Sequence, residues 1–323
     1  MDPATSIRTA SLSPAVLRAR GQVAARESTE AYAFLFPALL VLVVFLAVPA
    51  IWVFWLSLQK WDLISTTADF IGLANYDRLL NRDELFRQSV LQTVYYTAVT
   101  VPASMALGLV FAVLLNARMP GRDLMRAALF TPYVMPLVAS VLIWRFMFYP
   151  DTSGILNALL HAIGLPAIRW LDTAETVLPS IMIYSVWQHT GYNTVIFLAG
   201  LANLPGDLDE AARVDGARAW DRFWQVTWPL LSPTTYFVLL INVIGSFKVV
   251  VPVLVFTGGV GGATSAGGGP NHAAETIGYY LYAQAFASFH AGYAGAISVV
   301  LFLIILAVTG IQMGVLRRRV FYQ

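Results

Sequence analysis

Long apolar segments recur along this chain, and they limit its fold more than any other feature. Six segments are each long enough to cross a bilayer, since a spanning helix needs about 20 apolar residues. They cover approximately residues 33–58, 91–115, 127–148, 176–201, 229–255 and 294–316. The first is too long for a signal-peptide core and has no evident cleavage site, so it is expected to remain in the protein. The sequence therefore predicts an all-α integral membrane protein with six spans.

The composition points to the same class of protein. Hydrophobic residues make up 58% of the chain, charged residues only 12%, and the mean hydropathy is +0.67. A soluble protein of this composition would expose far too much apolar surface. The net charge is only +2 and the basic residues are spread among loops, which argues against nucleic acid as a partner. The absence of cysteine excludes disulfides and thiolate metal sites.

Lys and Arg are distributed unequally between alternate loops. If both termini are cytoplasmic, the inner segments hold thirteen basic residues: Arg8, Arg18, Arg20, Arg26, Arg118, Arg122, Arg126, Arg213, Arg218, Arg222, Arg317, Arg318 and Arg319. The outer loops then hold five: Lys60, Arg78, Arg82, Arg87 and Arg169. Because cytoplasmic loops carry an excess of Lys and Arg, this orientation is favoured. It predicts a cytoplasmic tail at residues 1–30, a membrane domain at 31–323 and a cytoplasmic loop at 202–228.

This last loop contains a short helical pattern with a recognisable design. Asp207 and Asp209 stand at its start, where acidic side chains cap free backbone N–H groups and complement the helix dipole. Ala211 and Ala212 keep the helix narrow, so another protein can approach its backbone, and Gly216 supplies the left-handed residue that commonly ends a helix. An amphipathic segment expected at the membrane surface follows, with Arg218, Trp220, Arg222, Phe223 and Trp224.

The loop resembles the cytoplasmic EAA loop of bacterial ATP-binding-cassette (ABC) importer permeases, whose pattern is Glu-Ala-Ala, three residues, Gly and a distal Pro. The matching residues are Glu210, Ala211, Ala212, Asp215, Gly216, Ala217, Phe223, Pro229 and Pro233. The resemblance implies the six-span type I importer fold and a coupling helix that sits in a groove of the ATPase subunit. The residues it implies for coupling to the ATPase are Asp209, Glu210, Ala211, Ala212, Asp215, Gly216 and Ala217.

Other segments are similar to the carbohydrate branch of that family. They are Phe70 to Leu73 with Asn75 and Tyr76, then Trp144, Arg145, Gly154 and Asn157, then Gly268, Gly269, Pro270, Glu275, Thr276, Tyr282, Phe286, Gly292, Tyr293 and Ala294. The resemblance implies a sugar or related polyol as cargo and a bacterial inner-membrane location. It also implies a second permease, two ATPase subunits that use ATP and Mg, and an extracytoplasmic binding protein as partners.

No catalytic constellation is found in the sequence. The glycine-rich stretch at 258–269 is longer than the family's usual turn at this place, and it is either a flexible insertion or a contact with the binding protein. No lysine follows it at the spacing of a phosphate-binding loop. The four histidines are scattered without metal-ligand spacing. The chain is therefore interpreted as a transport subunit without cofactors, and ATP hydrolysis is expected in another polypeptide.

Polar residues inside the predicted spans are candidates for the substrate pathway, because such groups are costly in a bilayer. Tyr184, Gln188 and Tyr192 recur at intervals of four on one helix face, with Asn193 adjacent, and Lys248 lies near the outer end of the fifth span. A sugar route would use this mixture of aromatic rings and hydrogen-bonding groups. The alternatives are a polar seam between helices and a lysine that reaches the headgroups.

Several prolines in the spans, namely Pro49, Pro102, Pro136 and Pro179, are candidates for kinks around a pathway. The cargo also has an alternative. The ending Arg319 to Gln323 and the segment Ser185 to Gln188 with Tyr192 and Asn193 look similar to permeases for glycerol 3-phosphate or glycerophosphodiesters, whose phosphate Lys248 would meet.

Two other classes of protein remain as distant alternatives. An ion-coupled secondary transporter commonly carries carboxylates at the bilayer midplane, and the six segments contain essentially none. A membrane scaffold or sensor would explain the spans but not the EAA loop.

Overall fold

The computed structural model describes residues 30–65, 67–117, 119–258 and 267–316, and this part of the chain is almost entirely helical. Its only strands are β1 (Gln59–Lys60) and β2 (Asp69–Phe70), which pair antiparallel. The predicted N-terminal tail, most of the glycine-rich stretch and the basic C-terminal end lie outside the described residues. The chain divides into two compact units, Met1–Trp55 and Leu56–Gln323.

The described part of the first unit is a single apolar helix. Helix α1 (Glu30–Leu56) is long and apolar enough to cross a membrane, and none of the side chains in its apolar window is buried. A π-helical turn at Val43–Ala47 immediately precedes Val48 and Pro49. Proline lacks a backbone donor and crowds the preceding turn, and such π-turns are a common way to relieve that crowding. Exposed apolar side chains all round a helix suit contact with lipid.

Besides a 3₁₀ turn at Pro270–His272, the second unit contains twelve further helices within the described residues. They are α2 (Ala74–Asp77), α3 (Glu84–Asn116), α4 (Arg122–Val134), α5 (Leu137–Met147), α6 (Ile155–Ala162), α7 (Val177–Ala202), α8 (Gly206–Val214), α9 (Ala219–Leu230), α10 (Ser232–Phe247), α11 (Val251–Phe256), α12 (Ile277–Tyr282) and α13 (Ala291–Leu316). Short π-helical segments follow α2 and α12 and lie within α9, at Arg78–Arg82, Ala283–Ala287 and Phe223–Thr227.

Helix α7 is the central element of this unit, and it packs against α3, α4, α10 and α11. Glycines make two of these contacts close. A Cβ on Gly191 would lie 1.7 Å from the carbonyl oxygen of Leu129 on α4, and a Cβ on Gly108 of α3 would lie 2.6 Å from Cβ of Asn193 on α7. Small residues let membrane helices approach in this way. The first half of α7 belongs to one buried apolar cluster and its last residues belong to another.

Two of the predicted continuous spans are interrupted, which corrects their boundaries. The span predicted at 127–148 consists of α4 and α5, bent by 99° across Met135 and Pro136. The span predicted at 229–255 ends as a helix at Phe247, and α11 starts after a non-helical stretch of three residues. Pro136 and Pro252 explain where α5 and α11 begin, because proline fits the first turn of a helix but not its interior.

Pro102 and Pro179 do not interrupt the helices that contain them. Helix α3 continues through Pro102 without interruption, and Pro179 lies in the first turn of α7, where no backbone donor is required. Among the described residues, three single helices are long and apolar enough to span, α1, α3 and α13, and each of two bent pairs adds one candidate. The remaining predicted span, at 176–201, corresponds to α7, whose 26 residues suffice in length but carry many polar groups. The count of six remains a prediction.

Candidate coupling and transport site

A helix, α8, forms where the coupling helix is predicted, and it is a surface element. None of its nine residues is fully buried. Its N-cap residue is Pro205 and no side chain caps its first turn, so the prediction that an acidic side chain caps this end is wrong. Asp207 and Asp209 instead lie inside the first turn, where their charges still complement the positive end of the helix dipole.

The C-terminal end of α8 forms as predicted around Gly216. This glycine has φ of +80°, its N–H donates to the carbonyl of Arg213 at 3.1 Å, and the N–H of Ala217 donates to the carbonyl of Ala212 at 3.0 Å. These two bonds define a Schellman motif, which needs a left-handed residue at the position of Gly216. The chain therefore leaves α8 in a fixed direction set by local geometry.

The outward surface of α8 combines charged and small apolar residues. Glu210, Ala211, Asp215 and Gly216 are exposed, and Ala212 and Ala217 are half-buried. Sequence reasoning missed two exposed apolar side chains on the same helix, Leu208 and Val214, the latter 87% exposed. Their signal is visible in the sequence, since Leu208, Ala211 and Val214 recur at intervals of three in an otherwise charged helix. A helix with this surface offers another protein close contact with its backbone.

Helix α9 follows and carries the aromatic group that the sequence predicted at the membrane surface. Trp220 and Trp224 are exposed, and edge-on ring contacts join Trp224 to Trp220, Phe223 and Trp228 at centroid distances of 5.6, 5.2 and 5.9 Å. Exposed tryptophans beside arginines are typical of helices at the bilayer interface.

A cavity of about 250 Å³ lies among α3, α5, α7, α10 and the stretch after α10. Its polar side chains are Tyr96, Thr100, Ser104, Ser185, Gln188, His189, Asn242, Ser246 and Lys248. None of the described residues around the cavity is an Asp or a Glu. The wall is therefore rich in hydroxyl and amide groups and carries one lysine.

Gln188 and Lys248 are the two predicted pathway residues that reach this cavity. Gln188 is only 7% exposed, and its amide forms no hydrogen bond with any described residue. Buried amides are nearly always paired, so an amide that faces a cavity without a partner is available to water or a ligand. Lys248 is exposed at the end of α10 and forms no ion pair within the described part of the chain.

The other three predicted pathway residues do not line the cavity. Tyr184 is fully buried and its hydroxyl shares a hydrogen bond with that of Ser140 on α5 at 2.7 Å. Tyr192 stacks on the ring of Tyr133 at a centroid distance of 4.4 Å. Asn193 is buried and donates to Ser104 Oγ at 3.2 Å, while its own oxygen accepts from Asn242 Nδ2 at 2.8 Å. These contacts join α7 to neighbouring helices, as in the polar-seam alternative.

Both interrupted helices contribute to the cavity. Leu137 at the start of α5 lines it, and so do residues 248–250 between α10 and α11 and the first two residues of α11. The non-helical stretch is held from outside, because Thr276 Oγ1 donates to the carbonyl of Val249 at 2.9 Å. Gly278 packs so closely that a Cβ there would lie 2.8 Å from the same oxygen. Membrane transporters commonly place irregular backbone where it lines a cavity.

A second cavity, of about 530 Å³, is lined by Arg145 together with Arg169 and Asp172. Arg145 Nη1 donates to the carbonyl of Val255 on α11 at 3.3 Å, so its side chain bridges α5 and α11. Gly258 and Gly269 border this cavity at the two ends of the glycine-rich stretch. Within the described residues, no group of three or more His, Asp and Glu side chains has metal-site geometry.

The arrangement defines a helical membrane protein with a polar cavity between interrupted helices and an exposed helix after the central one. Residues 86–322 match the family described as "Binding-protein-dependent transport system inner membrane component". The chain is 37% identical over 242 residues, 75% of its length and 81% of the relative's, to the trehalose/maltose transport system permease protein MalF of Thermococcus litoralis. It is 34% identical over 292 residues, 90% of its length and 96% of the relative's, to the sn-glycerol-3-phosphate transport system permease protein UgpA of Agrobacterium fabrum.

The fold is also similar to that of a solved transporter. A chain of the bacterial alginate ABC transporter, in complex with an alginate pentasaccharide-bound periplasmic protein, superposes with a TM-score of 0.77 at 20% identity, covering 91% of this chain and 96% of that one. The protein belongs to the family of binding-protein-dependent transport system inner membrane components. It is an ABC importer permease with the mostly helical fold of this family, which confirms the predicted family and fold class.

Proposed function

We propose that this permease forms, with a second permease subunit, the membrane pathway for a sugar or related polyol. The observation that carries the proposal is the cavity, whose hydroxyl and amide groups offer donors and acceptors to a hydroxylated cargo. The name of the trehalose/maltose relative supports this class of cargo. The second permease subunit is proposed to supply the rest of the pathway wall.

The same proposal assigns the energy source to other subunits. Two ATPase subunits bind and hydrolyse ATP with Mg, and an extracytoplasmic binding protein delivers the cargo. The exposed surface of α8, with Glu210, Ala211 and Ala212, contacts the ATPase and moves with its closure. The distribution of Lys and Arg supports cytoplasmic termini and a cytoplasmic loop at 202–228. The structural relative that binds a periplasmic protein supports the last of these partners.

A phosphate ester is a second candidate cargo, and Lys248 is the observation that favours it. The lysine borders the cavity without an ion pair in the described part of the chain, and no described carboxylate competes for it there. A relative named for sn-glycerol 3-phosphate transport supports this class as well. An ammonium group binds phosphate oxygens strongly where water is partly excluded.

Reconstituted uptake tests both the machine and its cargo. The purified permeases, ATPase and binding protein are placed in proteoliposomes, and ATP-dependent uptake of a labelled neutral disaccharide is measured with and without sn-glycerol 3-phosphate as competitor. We expect uptake only with ATP inside, and Lys248→Gln to reduce transport selectively if the cargo is the phosphate ester. Lys60→Gln is the matched control, because Lys60 does not border this cavity.

Two results would contradict the proposal. Uptake that persists without ATP but follows an ion gradient would identify a secondary transporter. A complete absence of uptake with all partners and both cargo classes present would favour a scaffold or sensor.

A further inference from the structure

Asp209 on the exposed helix α8 makes two ion pairs, and one of them leaves the helix. Its Oδ2 lies 2.8 Å from Arg213 Nη2, one turn further along α8. Its Oδ1 lies 2.9 Å from Nε of Arg222 on α9. Arg222 is only 21% exposed, so the second pair is the better shielded of the two. In the part of the chain that the structure describes, it is the only ion pair between α8 and another element.

Helix α8 has few other means of attachment to the rest of the chain. None of its residues is fully buried. No side chain of α8 forms a hydrogen bond with another described element, so the ion pair of Asp209 with Arg222 is its one polar side-chain link outside the helix among the described residues. The backbone from Gly216 to Arg218 connects it to α9, and the Schellman motif fixes only the direction in which the chain leaves. Helix α8 also lies against the Phe223–Thr227 segment of α9, and the Asp209 pair adds the one ion pair described between the two helices.

Helix α9 leads from this pair toward the cavity. It continues into α10 across a bend of 64°, where the N–H of Leu231 donates to the carbonyl of Thr227 at 2.9 Å. Leu231 is fully buried in the apolar cluster that also holds Val238 of α10. Further along, α10 contributes Asn242 and Ser246 to the cavity wall and ends at Lys248. A contiguous path of packed residues therefore connects α9 with the cavity wall.

We propose that Asp209 and Arg222 form an ionic strut that positions α8 on α9 and carries its movement to α10. The proposal rests on the proposed function, in which α8 contacts the ATPase. Asp209 then differs in role from its neighbour Glu210, because its carboxylate pairs within its own chain and is not a contact with the ATPase. The pair contributes little to folding stability, since Asp209 is partly exposed and water still screens its charge. Its proposed effect is on the coupling of ATP hydrolysis to cargo uptake.

The experiment measures uptake and ATP hydrolysis together in proteoliposomes that contain the complete transporter. Asp209→Asn and Arg222→Gln each remove one charge of the strut. We expect both variants to keep the ATPase subunits bound and to hydrolyse ATP, while cargo taken up per ATP falls about fivefold or more. The double variant is expected to be no worse than either single variant, because both act on one interaction.

Three control variants separate the strut from nearby charges. Asp207→Asn removes a neighbouring first-turn carboxylate with no ion pair among the described residues, and Arg213→Gln removes only the pair within α8. Both are expected to keep the wild-type ratio of uptake to hydrolysis. Asp209→Glu keeps the charge and is expected to restore most of the ratio.

The outcomes also distinguish this inference from the proposed function. If the wild-type complex shows no ATP-driven uptake, the proposed function fails. If it couples normally and Arg222→Gln does as well, the strut is wrong even when Asp209→Asn is defective. A defect in Asp209→Asn alone would indicate that Asp209 contacts the ATPase directly, because the loss of its partner Arg222 would then have no effect.

Discussion

Helices α7 and α8 follow each other in the chain, but they are held in place by different interactions. Most side chains of α7 are buried against α3, α4, α10 and α11, and its close crossings depend on glycine. Helix α8 has no fully buried residue, ends in a Schellman motif and has one ion pair to the next helix among the described contacts. The conformation of α8 is therefore set mostly by its own sequence, whereas that of α7 is set by its neighbours. Substitutions on the two helices should separate folding from coupling.

The largest effect is expected at the crossing of α7 and α4. Gly191→Ala places a Cβ within 1.7 Å of a backbone carbonyl oxygen of Leu129, and neither backbone can turn aside as a flexible side chain would. We expect destabilisation of about 3 kcal/mol or more, since overpacking forces helices apart. Membrane expression and the thermal stability of the purified complex measure it. Gly310→Ala on α13 is the control, because nothing lies near its added Cβ. Wild-type stability of Gly191→Ala would show that α4 and α7 are farther apart.

Gly216→Pro should give the complementary result, a loss of transport with little loss of folded protein. Proline holds φ near −65° where the chain has +80°, and it removes the N–H that donates to Arg213. The exit from α8 should change direction, and ATP-driven uptake should fall at least about tenfold, the equivalent of roughly 1.4 kcal/mol of coupling. Gly216→Asn is the control, since asparagine tolerates the left-handed region. Normal coupling by an assembled Gly216→Pro complex would refute the coupling role of α8.

Within α7, substitutions of Gln188 and Asn193 compare a residue that lines the cavity with one that packs against neighbouring helices. Asn193→Leu removes the hydrogen bonds that Asn193 forms with the buried side chains of Ser104 and Asn242, and it should cost about 1–3 kcal/mol of stability. Gln188→Leu removes an amide with no partner among the described residues, so stability should change little while the KM for uptake rises. Thermal unfolding measures the stability of both variants, and uptake kinetics measure their KM. Equal loss of stability in both variants would mean that Gln188 is a packing residue too.

The same contrast explains what the sequence could predict. The end of α8 was predictable because Gly216 and the spacing before it specify a local motif, and the Asp209 pair with Arg213 follows from an interval of four. The pair with Arg222 was not, since the two residues are thirteen positions apart and no single regular element contains both. Likewise, an interval of four placed Tyr184 and Gln188 on one face of α7. That interval does not say what each side chain contacts. In the structure, Tyr184 is hydrogen-bonded to Ser140 on α5, whereas Gln188 lines the cavity.

The smallest effect is expected at Val214, the most exposed apolar residue of α8. Val214→Ser should leave folding stability unchanged, because the side chain is 87% exposed and no contact is lost within the chain. If this surface binds the ATPase, retention of that subunit during purification should fall by no more than about fivefold, since truncating most interface side chains costs about 1 kcal/mol or less.

Val177→Ser is the matched substitution on α7, where the side chain is fully buried. It should cost about 2 kcal/mol through lost burial and leave the affinity for the ATPase unchanged in the protein that still folds. Each substitution is thus expected to change one measured quantity only: Val214→Ser lowers the affinity for the ATPase, and Val177→Ser lowers the stability of the permease. A stability loss at Val214 would show that another part of the protein covers α8, and the assignment of its exposed surface to a partner subunit would then fail.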